Sequence, residues 1–398
     1  MKVVGGTYLE FCRETGTFET PRALLGSGLR AAAALRSVVP ELVLDSAIDD
    51  GLAPEAETIA ATLGLDVQWR ERSEPVGFHY WTPLSAPNVS GPSARAPAAH
   101  VGGGLALAFG MIENQLSTDV EGLVFDPQQP RDLRQIEQLD TLKAGRLAIV
   151  ANIAETRAMA AEKDIAVAAR KLVAETPASV VITKQAARGA LVTTAQSQEL
   201  VGPWPTTRVW PIGSGDVFAA GFAWAWLIAG AEAVEAARSG SHAASRWCSS
   251  QSLDLSEAAF KPEGNPLKPR EGRVYLAAPF FSLGQRWLVE LVRDSLQGLG
   301  GEVFSPLHDV GRSDDAVARL DLEGLTRCSA VLALLDEADP GAMFEAGWAE
   351  RAQLPTVVFT ESPDREELKM VRGTGATVSS DLPTAVYRAL WASMGAEG

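Results

Sequence analysis

Short continuous apolar runs alternate along this chain with stretches in which apolar residues recur every three or four positions. Near the C-terminus the run Val331-Leu-Ala-Leu-Leu335 reads as a fully buried strand, and residues 273–281 and 302–306 read as two more. Between the latter two, residues 285–299 carry helical spacing closed by Gly300-Gly301, and a further helix is expected with Asp321 just before Leu322–Cys328. Strands alternating with helices of this length build parallel βαβ units. Ligands of such sheets sit beyond the carboxyl ends of the strands. Pro279, Ser305-Pro306 and Asp336 are therefore expected to face one cleft.

Three acids crowd one strand-to-helix junction. Asp339-Pro340 reads as an N-cap followed by proline at the first helical position, which places Glu345 near the second turn. Glu345 is expected to share a stripe with Ala342, Trp348, Ala349 and Ala352. A carboxylate buried there without a partner is costly. It is either satisfied structurally or chemically employed. Asp339 reads equally as a plain cap, and Asp336 as a solvated strand end.

On Tyr275-Leu-Ala-Ala-Pro279-Phe, Phe304-Ser-Pro306, Asp321, Leu335-Asp336, Asp339-Pro-Gly341 and Glu345-Ala-Gly347-Trp-Ala349, the segment from about 272 to 392 resembles the nucleoside 2-deoxyribosyltransferases and their relatives that hydrolyse nucleoside monophosphates. Ala342 stands where that family has threonine. The resemblance implies Glu345 as nucleophile at the anomeric carbon, Tyr275 orienting it, and Asp321 and Asp339 handling the base and its proton, with Asp336 also at the substrate. A carboxylate captures an oxocarbenium-like centre while a protonated acid assists departure of the base. Water as acceptor gives hydrolysis; a second base gives exchange.

Upstream, Pro211-Ile-Gly213-Ser214-Gly215-Asp216 is a glycine-rich turn opening an apolar helix. Such a turn converges backbone N–H groups on a phosphate at a positive helix end, and it reads equally as a tight turn with a cap. Together with Asn152-Ile-Ala-Glu155, Val180–Leu191 and Val3-Val-Gly5-Gly6, it makes residues 1–255 resemble the ribokinase (PfkB) family of sugar and nucleoside kinases. The resemblance implies an ATP site near Thr183–Gly189, an anion hole from Gly213, Ser214 and Gly215, Asp216 as catalytic base, and Asn152 with Glu155 helping to place magnesium. No residue is expected to bind a metal directly. Several positions depart from the family. Glu10 stands for an aspartate that binds sugar hydroxyls, Arg30 for a sugar-contacting asparagine, Trp210 for an acid, and Ala186 for a glycine. A guanidinium at position 30 suits a phosphate or carboxylate better than a neutral hydroxyl.

The expected fold class is α/β, with two doubly wound, mainly parallel-sheet domains: a ribokinase-like domain over 1–256 and a smaller flavodoxin- or Rossmann-like deoxyribosyltransferase domain over 273–398. A linker over 257–272 separates them, marked by the proline, glycine and charge of Lys261–Gly272. The length of 398 residues, with 46% hydrophobic and 21% charged, agrees with two cores. A net charge of −15 disfavours nucleic-acid polymers. The apolar run Val217–Ala231 is too short to span a bilayer and reads as a core helix. Cys12, Cys248 and Cys328 form no disulfide or metal framework, which points to the cytoplasm. The Ala-rich stretches 31–34 and 94–108 are expected to be packed helix.

The resulting expectation is a bifunctional enzyme of nucleoside or nucleotide metabolism acting on a nucleoside, nucleotide or sugar. ATP and Mg2+ would serve the first domain and no cofactor the second. A homodimer or larger homo-oligomer is expected, since relatives close each site with a neighbouring subunit. The alternative is an N-terminal scaffold for binding or dimerisation, with only the glycosidic domain turning over.

Overall fold

The computed structural model describes residues 1–13, 20–128, 139, 141–311 and 316–395. A ten-stranded sheet dominates the N-terminal two thirds. Its path runs Gln198–Val201, Ala190–Thr194, Ala178–Lys184, Leu142–Asn152, Leu116–Asp126, Leu105–Phe109, Lys2–Val4, Val43–Ile48, Asp66–Glu71, with Ala99–Gly102 beside Leu116–Asp126. Among the described residues of this sheet, only the two pairings among Ala178–Lys184, Ala190–Thr194 and Gln198–Val201 are antiparallel. A four-stranded sheet of Arg22–Leu24, Leu9–Cys12, Gly77–Tyr80 and Asn88–Ser90 brings Phe78 and Tyr80 to the wall of a cavity beside the main sheet.

The Ala-rich stretch at 31–34 is buried in the helix Gly26–Leu35, as expected. The stretch at 94–108 is not helical: it contributes the strands Ala99–Gly102 and Leu105–Phe109. Leu105–Phe109 is a central strand packed on both faces, where burial overrides alanine's helix propensity, while Ala99–Gly102 pairs with Leu116–Asp126 alone and alternates buried with exposed residues. The apolar run from Val217 continues the helix Ser214–Ala223 through a π-helical turn, Trp224–Ile228. Among the described residues no helix is long and apolar enough to cross a membrane.

The second sheet is wholly parallel, in the order Glu302–Phe304, Arg273–Ala277, Ala330–Leu334, Thr356–Phe359, Thr377–Ser379. The chain order reverses between Arg273–Ala277 and Ala330–Leu334, and a crevice at such a switch point is where ligands bind. Side-chain alternation divides this sheet cleanly. Tyr275, Ala277, Val331 and Ala333 pack on one face with Ala342, Ala346 and Ala349 of the helix Pro340–Arg351. Val274, Leu276, Leu332 and Leu334 pack on the other with the helices Leu283–Gly298 and Leu382–Ser393. That second face also takes in Ala187 and Val209 from the N-terminal portion, so one apolar layer joins the C-terminal sheet to the turn and loop of the first unit.

Candidate functional site

At the C-terminal switch point the sequence builds its junction locally. Asp339 caps the helix Pro340–Arg351 by accepting from the Ala342 N–H at 2.8 Å, with Pro340 at the start as expected. The buried face of that helix runs through Ala342, Ala346 and Ala349 rather than the expected stripe; Trp348 is 41% exposed and Ala352 is exposed. The small side chains settle onto the sheet, and Glu345 lies at the edge of the contact, partly covered. There it meets Tyr275, a wholly buried side chain whose phenol donates to Glu345 Oε1 at 2.6 Å. Phe304 stacks on the tyrosine ring, centroids 5.5 Å apart, and fixes its plane.

Burial pushes the Glu345 carboxyl up to about 7; the Tyr275 hydrogen bond pulls it down, while Asp321 and Asp339 raise it again. Burial also drives the Tyr275 phenol far above its ordinary range, reinforced by the neighbouring Glu345. Asp321 sits inside the helix Ala316–Thr326, not ahead of it as the sequence suggests, because the helical pattern begins further upstream than the apolar run at Leu322. Burial raises its pKa, and its Oδ1 is buried without a hydrogen-bond partner among the described residues. Tyr275, Glu345, Asp321 and Asp339 are thus brought together.

Asp336 is used differently. Its Oδ1 accepts from the Glu361 N–H at 2.5 Å and its carbonyl accepts from Arg365, so it ties two loops. With Pro279, Gln285 and Glu361 it lines a cavity of about 410 Å3 that the Tyr275–Glu345 pair does not line. Ser305 and Pro306 are buried in and beside the turn Pro306–Val310, outside that lining; the single expected cleft is divided.

In the N-terminal portion the helix Ser214–Ala223 begins at Gly213, whose φ of 78° is left-handed and whose missing Cβ leaves room for the Arg30 guanidinium. Arg30 is 2% exposed, and its ends reach Glu10 Oε2 at 2.5 Å and Asp216 Oδ2 at 2.6 Å. Gln128 donates to the other Asp216 oxygen at 2.5 Å. Glu10 further accepts from the Gly26 N–H at 3.2 Å. Asn152 and Glu155 form a reciprocal capping box on the helix Ile153–Ala160, at 2.9 and 2.8 Å. Glu10, Arg30, Asn152, Glu155 and Asp216 line a cavity of about 470 Å3 under Tyr8 and Tyr80.

Lys184 and Asp126 had no signal in the sequence. They form an ion pair beside the glycine turn, the Lys184 ammonium lying over Gly215. Burial raises the Asp126 carboxyl and Lys184 opposes it. Strand ends 58 residues apart in sequence bring the pair together, a distance no local pattern reports. Thr183 is buried against Thr156, hydroxyls 3.2 Å apart, and Gly189 accepts from the Gln185 N–H at 2.7 Å.

The space between the 183–189 segment and the glycine turn is only about 100 Å3. Lys184, Gly189, Ser214 and Gly215 line it on one side; Tyr387 and Trp391 of the helix Leu382–Ser393 enter it from the other. Ligand pockets commonly begin at roughly 300 Å3. Part of the polar set is engaged within the chain as well. Ser214 and Asp216 N–H groups turn to the carbonyls of Pro211 and Gly213, and Asn152 and Glu155 satisfy each other. ATP with magnesium does not fit these residues as they stand.

The architecture is therefore that of two doubly wound α/β units in series, each with polar groups at the carboxyl ends of its strands. The family comparisons give each unit its likeness. The model for the pfkB family carbohydrate kinases matches residues 106–258, and that for nucleoside 2-deoxyribosyltransferase matches residues 274–380. The chain is a fusion of a PfkB-like and a deoxyribosyltransferase-like segment, in that order. Among solved structures, fructokinase from Vibrio cholerae O395, determined with fructose, ADP and calcium ion, is 12% identical with a TM-score of 0.50, over 65% of this chain and 97% of that one. Ribokinase from Thermotoga maritima is 15% identical with a TM-score of 0.49, over 65% and 97%. A nucleoside kinase from Methanocaldococcus jannaschii, an archaeal member of the ribokinase family, is 12% identical with a TM-score of 0.44, over 65% and 96%. The fructokinase match carries the fold of the N-terminal part, and the fold alone. No curated protein matches the chain.

Proposed function

We propose that the segment 273–398 breaks or exchanges the N-glycosidic bond of a nucleoside or nucleotide, with Glu345 as the group that meets C1′. The observation that carries this reading is the 2.6 Å hydrogen bond from the buried Tyr275 phenol to Glu345 Oε1 at the sheet's switch point. In its ionised form Glu345 bonds to C1′ as the C1′–N bond breaks, and the departing base takes a proton. Asp321 suits that donor role, since burial favours its protonated form and its Oδ1 has no hydrogen-bond partner among the described residues. Asp339 is engaged as the helix cap and contributes negative charge that holds back ionisation of Glu345. Water or a second base then attacks C1′, gives up a proton to the Asp321 carboxylate and releases Glu345 as the carboxylate.

For residues 1–256 the scaffold reading is favoured over phosphoryl transfer. A base must be free to accept a proton from a substrate hydroxyl. Both Asp216 oxygens are instead held, one by Arg30 and one by Gln128. Arg30 in turn is held between two carboxylates of the chain itself, which leaves it poorly placed for a substrate anion. The division at 257–272 belongs to the same proposal.

The test is to incubate the purified chain with a mixed pool of nucleosides and nucleotides, with and without ATP, and to follow the pool by mass spectrometry. Loss of a glycoside with release of its base, independent of ATP and absent in Glu345→Gln, is the expected result. Base release by Glu345→Gln at the wild-type rate would refute the assignment. ATP consumption that ends in Asp216→Asn would overturn the scaffold reading.

A further inference from the structure

We propose that the helix Leu382–Ser393 is the resident occupant of the cleft where a kinase of this fold would seat its nucleotide, so that residues 1–256 grip the C-terminal sheet there in place of ATP. The inference rests on the scaffold reading above, and on residues 183–189 and 213–215 being the walls of the nucleotide cleft.

Two hydrogen bonds cross from this helix to the walls of the cleft, and a pair of aromatic rings on the helix completes the face that meets them. The Trp391 indole N–H donates to the Ala187 carbonyl at 2.9 Å, inside the turn Ala186–Arg188 that forms one wall. The Val209 N–H donates to Thr384 Oγ1 at 2.9 Å, on the chain leading to the glycine turn. Tyr387 and Trp391 meet edge to face, centroids 5.6 Å apart, and both are buried. Ala187 and Val209 belong to the same apolar cluster as Leu382, Val386 and Leu390. Polar and apolar complementarity coincide along one helix face.

The linker follows the same course. Its Leu267 N–H donates to the Pro203 carbonyl at 2.8 Å, and Trp204 Nε1 donates to the Glu263 carbonyl at 3.0 Å. The chain is laid against the wall before it enters the second sheet. An adenine nucleotide would have to displace both aromatic rings and return their apolar surface to water. Nucleotide entry and helix docking are mutually exclusive.

Cys248 lines this cleft together with Tyr387 and Trp391 and serves as a reporter. The experiment titrates the full chain with ADP and Mg2+ to millimolar concentration by calorimetry, and measures Cys248 alkylation by maleimide with peptide mapping, in wild type and in Tyr387→Ala/Trp391→Ala. Wild type is expected to bind no ADP, and its half-buried Cys248 to react at least about tenfold more slowly than in the variant, because Tyr387 and Trp391 close the cleft that the thiol lines. Rapid labelling of wild-type Cys248 without ADP would overturn the docking. Saturable ADP binding with Cys248 unmasked would also overturn it, by showing that nucleotide displaces the helix. Saturable ADP binding with Cys248 still shielded would instead sink the underlying reading of where nucleotide sits. The wild-type arms decide even where the double variant fails to fold, and base release by Glu345 is unaffected by any of these results.

Discussion

Replacing Glu345 by glutamine separates chemistry from stability, because the two effects run in opposite directions. The ordinary glutamate pKa of 4.5 is raised to about 7 in the folded protein, chiefly by burial. Below 4.5 the carboxyl is protonated whether folded or unfolded, and it costs nothing. Between 4.5 and about 7 the unfolded chain releases this proton while the folded chain retains it, so stability falls as pH rises through that window and stays low above it. At about 1.4 kcal/mol per tenfold difference in proton affinity, the full penalty is on the order of 3 kcal/mol. Residual solvent at the partly covered carboxyl screens it to roughly 1–3 kcal/mol. Glutamine keeps the shape and an acceptor for Tyr275 without the charge. Urea unfolding of wild type and Glu345→Gln, followed by fluorescence from pH 4 to 8, should therefore show the variant gaining on wild type by about 1–3 kcal/mol across the interval. Base release should meanwhile be abolished. A stability difference that stays flat with pH would refute the raised pKa, and with it the picture of a reactive carboxylate held in a partly dry site.

Wild-type kcat/KM for base release should rise as pH increases through about 7, since the nucleophile is the ionised form; a profile that falls there would reverse the assigned role. Tyr275→Phe removes the hydrogen bond that lowers the Glu345 pKa, so that limb should move to higher pH, with stability reduced by about 1.5–3 kcal/mol in denaturant titration. Arg30→Ala strands Glu10 and Asp216 in a covered site and should cost about 3–5 kcal/mol by the same measurement, whereas loss of an exposed pair would cost under about 1 kcal/mol. Asn152→Ala breaks the capping box and should cost about 1 kcal/mol without affecting base release.

What could be read from the chain beforehand was what is decided within a few residues. The run at 331–335, the Asp339-Pro340 cap and the glycine turn before Asp216 all stand close to where their local chemistry puts them. The helix face at Trp348 departs from its pattern because apolarity alone does not say which residues meet the sheet; three alanines do, and the larger side chain turns outward. Asp321 lies deeper in its helix than its pattern suggests because charged and small residues in the first turns of Ala316–Thr326 mask where that helix starts. The Arg30–Asp216 pair joins positions 186 residues apart, and the Trp391–Ala187 contact 204. Nothing local to either partner announces the other. Arginine at position 30 was legible as a departure, but its carboxylate partners turned out to lie within the chain.

The five residues of Arg273–Ala277 have two audiences. Tyr275 looks toward Glu345, while Val274 and Leu276 look toward the layer that includes Ala187 and Val209. Anyone excising the last third as a minimal enzyme would inherit an oily flank formed around Tyr387 and Trp391, suddenly wet and prone to self-association. A practical truncation would first need that flank resurfaced with polar side chains, leaving the tyrosine's side of the strand untouched.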